Sequence, residues 1–279
     1  MSKDVDGGRL VAWRRRQGDR CAPYDAVVHT DERAAGGSPS LSQPDFWWYE
    51  ARGRMLRRVL DPVLHEHAAG DSPVLDVGSA DGPSNFWTGR DARVVAVDPD
   101  PRGLAANGVC AQLPELPFSD DAFSVVSAFD VIEHCVDEHA SLREIHRVLR
   151  PGGVLLMSVP AYQWAWTDFD VANGHFRRYT RDRAVRAVAA AGLQPVRATY
   201  AFTTVFPAFA AQRLLARARE TRRGARASGA ADIVDVPRTA PPVERALTRL
   251  CRADEWWLGR GDLPLGSSVF LAAVAPAGR

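Results

Sequence analysis

Val74-Leu75-Asp76-Val77-Gly78-Ser79-Ala80-Asp81-Gly82 is the stretch that decides the fold. A short apolar run that ends in turn residues reads as a buried strand entering a tight connection. The pattern recurs downstream in Val94-Val95-Ala96-Val97, followed by Asp98, and more weakly in Val109-Cys110-Ala111. Phe123 to Phe129 and Val154 to Val159 supply two more runs. Between them Asp137 can cap a helix carrying Leu142, Ile145, Val148 and Leu149, which Pro151-Gly152-Gly153 ends. Continuous apolar strands that alternate with helices predict a parallel sheet covered on both faces, a Rossmann-like doubly wound α/β fold.

Upstream, Met55, Leu56, Val59, Leu60, Val63 and Leu64 recur at helical spacing, which predicts a helix from Asp45 to about His67. Residues 1–44 mix Gly, Ser, Pro, Asp and Arg without periodicity and are expected to form a flexible tail. Downstream, residues 161–179 read as a loop rich in aromatic, Asp, His and Arg residues. Thr180 can cap a helix that stops at Gly192, and Gln194 to Tyr200 reads as a sixth strand. Helical stretches at 204–220 and 243–259 follow, separated by a Gly-, Ala-, Pro- and Arg-rich linker at 221–242, and Ser267 to Ala275 closes the chain as a strand. The expected organisation is one domain over 45–279, with an N-terminal helix to 69, a core at 70–200, added helices at 201–262 and a last strand at 267–275.

The 279 residues are 46% hydrophobic and 25% charged, which excludes a wholly disordered chain, a collagen or a coiled coil. A formal net charge of +1 gives no field to steer the protein to nucleic acid. Lys3 is the sole lysine, so the basic side chains are nearly all arginine. Cys21, Cys110, Cys135 and Cys251 form no C-x-x-C pair, which fits a reducing cytoplasm and argues against a zinc framework. No run approaches the length of an integral membrane segment, and no secretory h-region opens the sequence. Phe202 to Leu215 is apolar enough to lie over a pocket, on a partner subunit or on a membrane surface; few basic residues precede Arg213, which favours the first two, so a homo-oligomer stays open.

Asp98 follows Asp76 by 22 residues and ends the next strand, where a carboxylate suits the two hydroxyls of a ribose. A dinucleotide calls for G-x-G-x-x-G around a pyrophosphate. Here the turn carries Asp76 and Asp81 instead, and carboxylates repel a pyrophosphate but attract a sulfonium bearing an ammonium group. Charge therefore favours S-adenosylmethionine over NAD.

Four stretches together resemble the class I S-adenosylmethionine-dependent methyltransferases of the UbiE/UbiG-like type: Val74 to Gly82; Val94 to Asp98; Leu116-Pro117-Phe118 through Asp130-Val131-Ile132-Glu133-His134; and Arg147-Val148-Leu149-Arg150-Pro151-Gly152-Gly153. Phe46-Trp47-Trp48 with Arg52, Ser158 to Tyr162, and His175 to Thr180 are similar to the flanks of a largely uncharacterised bacterial subgroup. The resemblance implies seven strands with the last antiparallel. It implies that Asp76, Gly78, Ser79 and Ala80 line the methionine part of the cofactor, that Asp98 binds the ribose and Pro99 flanks the adenine, and that Asp130 lies near the transferred methyl. Ala80 stands where many members have a second glycine, and Gln112 is the candidate for the adenine amino group in place of an acid.

Methyl transfer from a sulfonium needs the acceptor in line and, for a hydroxyl, a proton acceptor. His175 and His134, both expected at the carboxyl edge of the sheet, are the candidate bases, with Asp130 beside them. Trp48, Tyr162, Trp166, Arg178 and Tyr179 are the candidate walls of an acceptor pocket. Asp168, Asp170 and His175 lack the spacing of a regular ligand set, so no metal is expected. The expected reaction is methylation of a small molecule, on oxygen, in a specialised metabolite or sugar-containing intermediate. The rivals are a reaction other than methylation on the same fold, such as cyclisation or decarboxylation, and an NAD-dependent enzyme.

Overall fold

The computed structural model describes residues 46–67, 73–78, 94–99, 104, 108–223 and 240–277. The expected tail at 1–44, most of the 221–242 linker, and Ser79 to Gly82 of the glycine turn lie outside the described residues.

Seven strands form one sheet: β1 (Val74–Val77), β2 (Val94–Asp98), β3 (Val109–Cys110), β4 (Phe123–Phe129), β5 (Leu149–Pro160), β6 (Gln194–Ala201) and β7 (Ser268–Val274). Their order is β3-β2-β1-β4-β5-β7-β6. β1 to β5 pair in parallel, while β7 runs antiparallel to both β5 and β6. The sheet is thus doubly wound with an antiparallel last strand. β1 and β4 have no exposed face, and Leu75, Phe123, Val126 and Ala128 are fully covered. This is why these runs are apolar at consecutive positions instead of alternating.

Helix α1 (Trp47–His67) lies across β5, β7 and β6 and against the late helix α6 (Pro241–Leu258). Its Met55, Leu56, Val59 and Leu60 are buried. Arg197 on β6 ties these layers together: its guanidinium donates to the carbonyls of Val59 (3.2 Å) and Leu258 (2.7 Å) and to Asp262 (3.1 Å). Helices α2 (Glu138–Val148) and α4 (Arg181–Ala190) pack on each other, and α5 (Phe206–Arg223) follows β6. The expected caps are present: Asp137 accepts from the Ala140 amide, and Thr180 from that of Arg183.

Two local expectations change. β5 begins at Leu149, five residues before the predicted start, because Gly152 and Gly153 stay in the sheet by exchanging hydrogen bonds with Ala275. Gly152 sits at φ +76, and a Cβ on Gly153 would meet the Arg150 carbonyl at 2.8 Å. The 161–179 segment also holds a short helix, α3 (Asp168–Ala172). Thr167 and Asp170 form a reciprocal capping box at its start.

Candidate active site at the carboxyl edge of the sheet

Parallel register aligns Val77 with Val97 and with Ala128, so Gly78, Asp98 and Asp130 emerge at one edge. Gly78 has φ +75, and its amide donates to the Val97 carbonyl at 2.7 Å. A Cβ there would collide with Val131, so the turn can pass the end of β4 only as glycine. Asp76 is fully buried within β1 and accepts a short hydrogen bond from Ser127 of β4. Asp98 ends β2 half-buried, with Pro99 exposed after it, and Gln112 is exposed beyond β3. Ser79 and Ala80 lie outside the described residues.

Asp130 follows β4 at φ 55, a conformation a non-glycine residue adopts only where its surroundings hold it. Its amide donates to the Ser158 carbonyl at 2.9 Å, and its carboxylate meets Arg52 of α1 at 2.6 Å. Arg52 also donates to Ser158 Oγ and lies over the rings of Trp48 and Phe129. The N-terminal helix therefore supplies a buried cation to the edge where the cofactor is expected.

The turn after β4 then delivers Glu133 and His134 from one 3-10 turn, Ile132–His134. His175 comes to them from the segment after α3, because the Phe176 amide donates to the Glu133 carbonyl at 2.8 Å. The two imidazoles meet edge to face with centroids 4.6 Å apart. A carboxylate oxygen of Glu133 and one ring nitrogen of each histidine lie within 4.8 Å of one another.

His175 is held from behind. Its Nδ1 is 2.9 Å from Asp170 Oδ1, and its amide donates to the Asp170 carbonyl. Asp170 is fully buried and also accepts from Arg178 Nε (2.7 Å) and from the Thr167 amide (3.0 Å), with Arg213 at 3.6 Å. Burial works to raise the Asp170 pKa, but the hydrogen bonds from His175 and Arg178 and the guanidinium charge outweigh it and hold the carboxyl below its usual range. An ionised Asp170 fixes the proton of His175 on Nδ1 and leaves Nε2 as the free position.

Glu133 is the opposite case. It is 1% exposed, and among the described residues neither carboxylate oxygen has a hydrogen-bond partner. Burial, and next the Asp130 carboxylate, push its pKa well above the usual range. The His134 residue keeps surface open to solvent, yet its ring is crowded by the 173–174 backbone and by His175. That burial and His175 bring its pKa down to about 4. His134 is therefore a neutral imidazole at physiological pH.

The structure brings His134 and His175 together at the turn that follows Asp130. It draws Arg178 and Tyr179 inward: they are 3% and 1% exposed, Arg178 on Asp170 and the Ala161 carbonyl, Tyr179 on Glu138. Trp48, Tyr162 and Trp166 are half-buried; Trp48 stacks on Phe202, and Tyr162 on Trp164 and Tyr200. Sequence reasoning passed over Glu133 and Arg52 as site-forming groups and weighed Asp170 only as a metal ligand. A signal for Asp170 existed in the Thr167-x-x-Asp170 cap, but none marks Glu133 as lacking a partner.

Residues 75–157 match the family model described as a methyltransferase domain. A probable S-adenosylmethionine-dependent methyltransferase of Mycolicibacterium smegmatis is 33% identical over 146 residues, covering 48% of this chain and 52% of that protein. A malonyl-[acyl-carrier protein] O-methyltransferase of Serratia marcescens is 34% identical over 146 residues, covering 49% of this chain and 53% of that protein. The chain spans about half the length of these two relatives. Among solved structures, the [4+2]-cyclase SpnF is 18% identical with a TM-score of 0.49, over 88% of this chain and 98% of that one. The matched segment runs from β1 into β5 and includes the glycine turn, Asp98, Asp130, Glu133 and His134; over that segment the chain is similar to the class I S-adenosylmethionine-dependent methyltransferases.

Proposed function

We propose that the protein transfers the methyl group of S-adenosylmethionine to an oxygen of a small-molecule acceptor, a specialised metabolite or a sugar-containing intermediate, in the cytoplasm. The observation that carries the reading is the Asp170-held His175 against His134, in the turn that follows Asp130 at the end of β4. Asp76, Gly78, Ser79 and Ala80 take the methionine part, Asp98 the ribose, Pro99 and Gln112 the adenine. Asp130, already paired with Arg52, stands between cofactor and acceptor. The acceptor oxygen attacks the methyl carbon, the carbon–sulfur bond breaks, and its electron pair stays on sulfur as S-adenosylhomocysteine departs. The acceptor proton passes to Nε2 of His175, and Asp170 stabilises the imidazolium so formed. Trp48, Tyr162 and Trp166 exclude water from the acceptor side. The Serratia relative is named for O-methylation, which supports oxygen as the acceptor atom. No described helix is long and apolar enough to cross a membrane.

The test is turnover by wild type and His175→Ala against a panel of hydroxylated small molecules, with S-adenosylhomocysteine counted against methylated product. A one-to-one yield is expected. His175→Ala should lower the rate by about 10²–10⁴ and leave cofactor affinity nearly unchanged. Product without S-adenosylhomocysteine would overturn methyl transfer, and near-normal turnover of the variant would overturn the role of His175.

A further inference from the structure

We propose that Glu133, His134 and His175 form a binding site for one divalent cation of the zinc, manganese or iron class. Nothing in the sequence spacing suggests it, because two ligands come from one turn after β4 and the third from beyond α3, 41 residues later.

Three independent observations carry the proposal. The first is an unmet need. Both oxygens of Glu133 are buried without a hydrogen-bond partner among the described residues, and a buried carboxylate calls for a cation or a proton. Arg52 and Arg178 act on Glu133 only at a distance; their own hydrogen bonds go to Ser158 and Asp130 and to Asp170 and Ala161. The second is the donor set. Two imidazole nitrogens and one carboxylate oxygen lie within 4.8 Å of one another, so shifts of about an ångström would bring them to ligand distances near 2.1 Å. The third is the support behind the set. His175 gives Nδ1 to a buried carboxylate, the arrangement that in metal sites orients a histidine and raises the basicity of its other nitrogen. Asp170 is itself fixed by Arg178 and the Thr167 amide.

Two nitrogens and one oxygen favour a borderline transition ion over magnesium or calcium, which prefer all-oxygen shells. Three protein ligands leave open positions for water or an acceptor oxygen. The use of the site in catalysis rests on the methyl-transfer reading; uptake of the ion does not. With an ion on Nε2, a hydroxyl that joins it is acidified and sheds its proton to water. With the ion stripped, Nε2 is again the proton acceptor.

The test is calorimetric titration of the chelator-stripped full chain with Zn²⁺, with Mn²⁺ and with Mg²⁺, beside a separate titration with S-adenosylmethionine. One equivalent of Zn²⁺ or Mn²⁺ should bind, and Mg²⁺ should bind at least tenfold more weakly. Glu133→Gln, which keeps the shape of the side chain, and His175→Ala should each lower Zn²⁺ affinity by about tenfold or more. His139→Ala, on the exposed face of α2, should bind like the wild type and controls for surface histidines. Co²⁺ should give visible absorption in the wild type that Glu133→Gln lacks. A wild type that takes up no ion, or a folded Glu133→Gln that binds Zn²⁺ unchanged, overturns the cation site. Such a result with intact cofactor binding and turnover leaves the methyltransferase reading standing. Ion uptake without any cofactor binding would fell that reading and spare this one.

Discussion

Two carboxylates stand in one wall of the site and differ in a single respect. Asp170 and Glu133 are both buried, at 0% and 1% exposure, and both bear on His175. Asp170 is surrounded by donors: an imidazole, two guanidinium groups and an amide. Glu133 has none for either oxygen among the described residues. The first is an ionised anchor and the second a group held ready at a cost to stability. Burial alone does not distinguish them; the partners do.

The largest effect is expected from Asp170. Replacing it by Ala strands Arg178, which is 3% exposed, without its counter-charge. Removing one partner of a buried pair costs about 3–5 kcal/mol, so denaturant unfolding of Asp170→Ala should show a loss of that order. A loss below about 1 kcal/mol would mean that the partners around Asp170 do not hold it as an anchor.

Asp98 sharpens the contrast from outside the wall, because its proposed partner is the ribose. Asp98→Ala should weaken S-adenosylmethionine binding by about 1.5–3 kcal/mol, roughly ten- to a hundredfold. Unchanged affinity in a folded variant, read by calorimetry, would move the cofactor away from β2.

The smallest effect has the opposite sign. Glu133 has its folded pKa raised, so the native state binds a proton the unfolded chain releases. Its contribution is therefore full below the ordinary carboxyl pKa near 4.5 and is lost as pH rises through the raised folded value. In the metal-stripped chain Glu133→Gln should thus raise Tm at pH 8, by about 2–4 °C for each kcal/mol of burial cost relieved. At pH 4 the gain should vanish. A fall in Tm at pH 8 would mean that Glu133 is as well served as Asp170.

Much of the frame was legible because its signals are local. The runs at 74–77, 94–97 and 123–129 are consecutive apolar residues that end in turns, and a strand buried on both faces requires that pattern. The early start of β5 was not, because Gly152 and Gly153 remain in the sheet only through Ala275, more than a hundred residues away. The acceptor wall divides in the same way. His134 and His175 could be picked by residue type, but whether a polar side chain faces ligand or protein depends on distant partners. Arg178 and Tyr179 read as pocket residues, yet Asp170 and Glu138 draw both inward. Arg52 reads as one charge on an amphipathic helix, and only folding carries it 78 residues along the chain to Asp130.

Arg197 carries a consequence for anyone rewriting this chain. Its planar fork serves Val59, Leu258 and Asp262 at once, clasping β6 to α1 and to the end of α6, which lie far apart in sequence. An ammonium group could reach one or two of them and would leave buried carbonyls without donors. A nearly lysine-free composition, whatever coding bias produced it, has thus become architecture. Recoding arginine to lysine, harmless on most surfaces, would here unpick a seam.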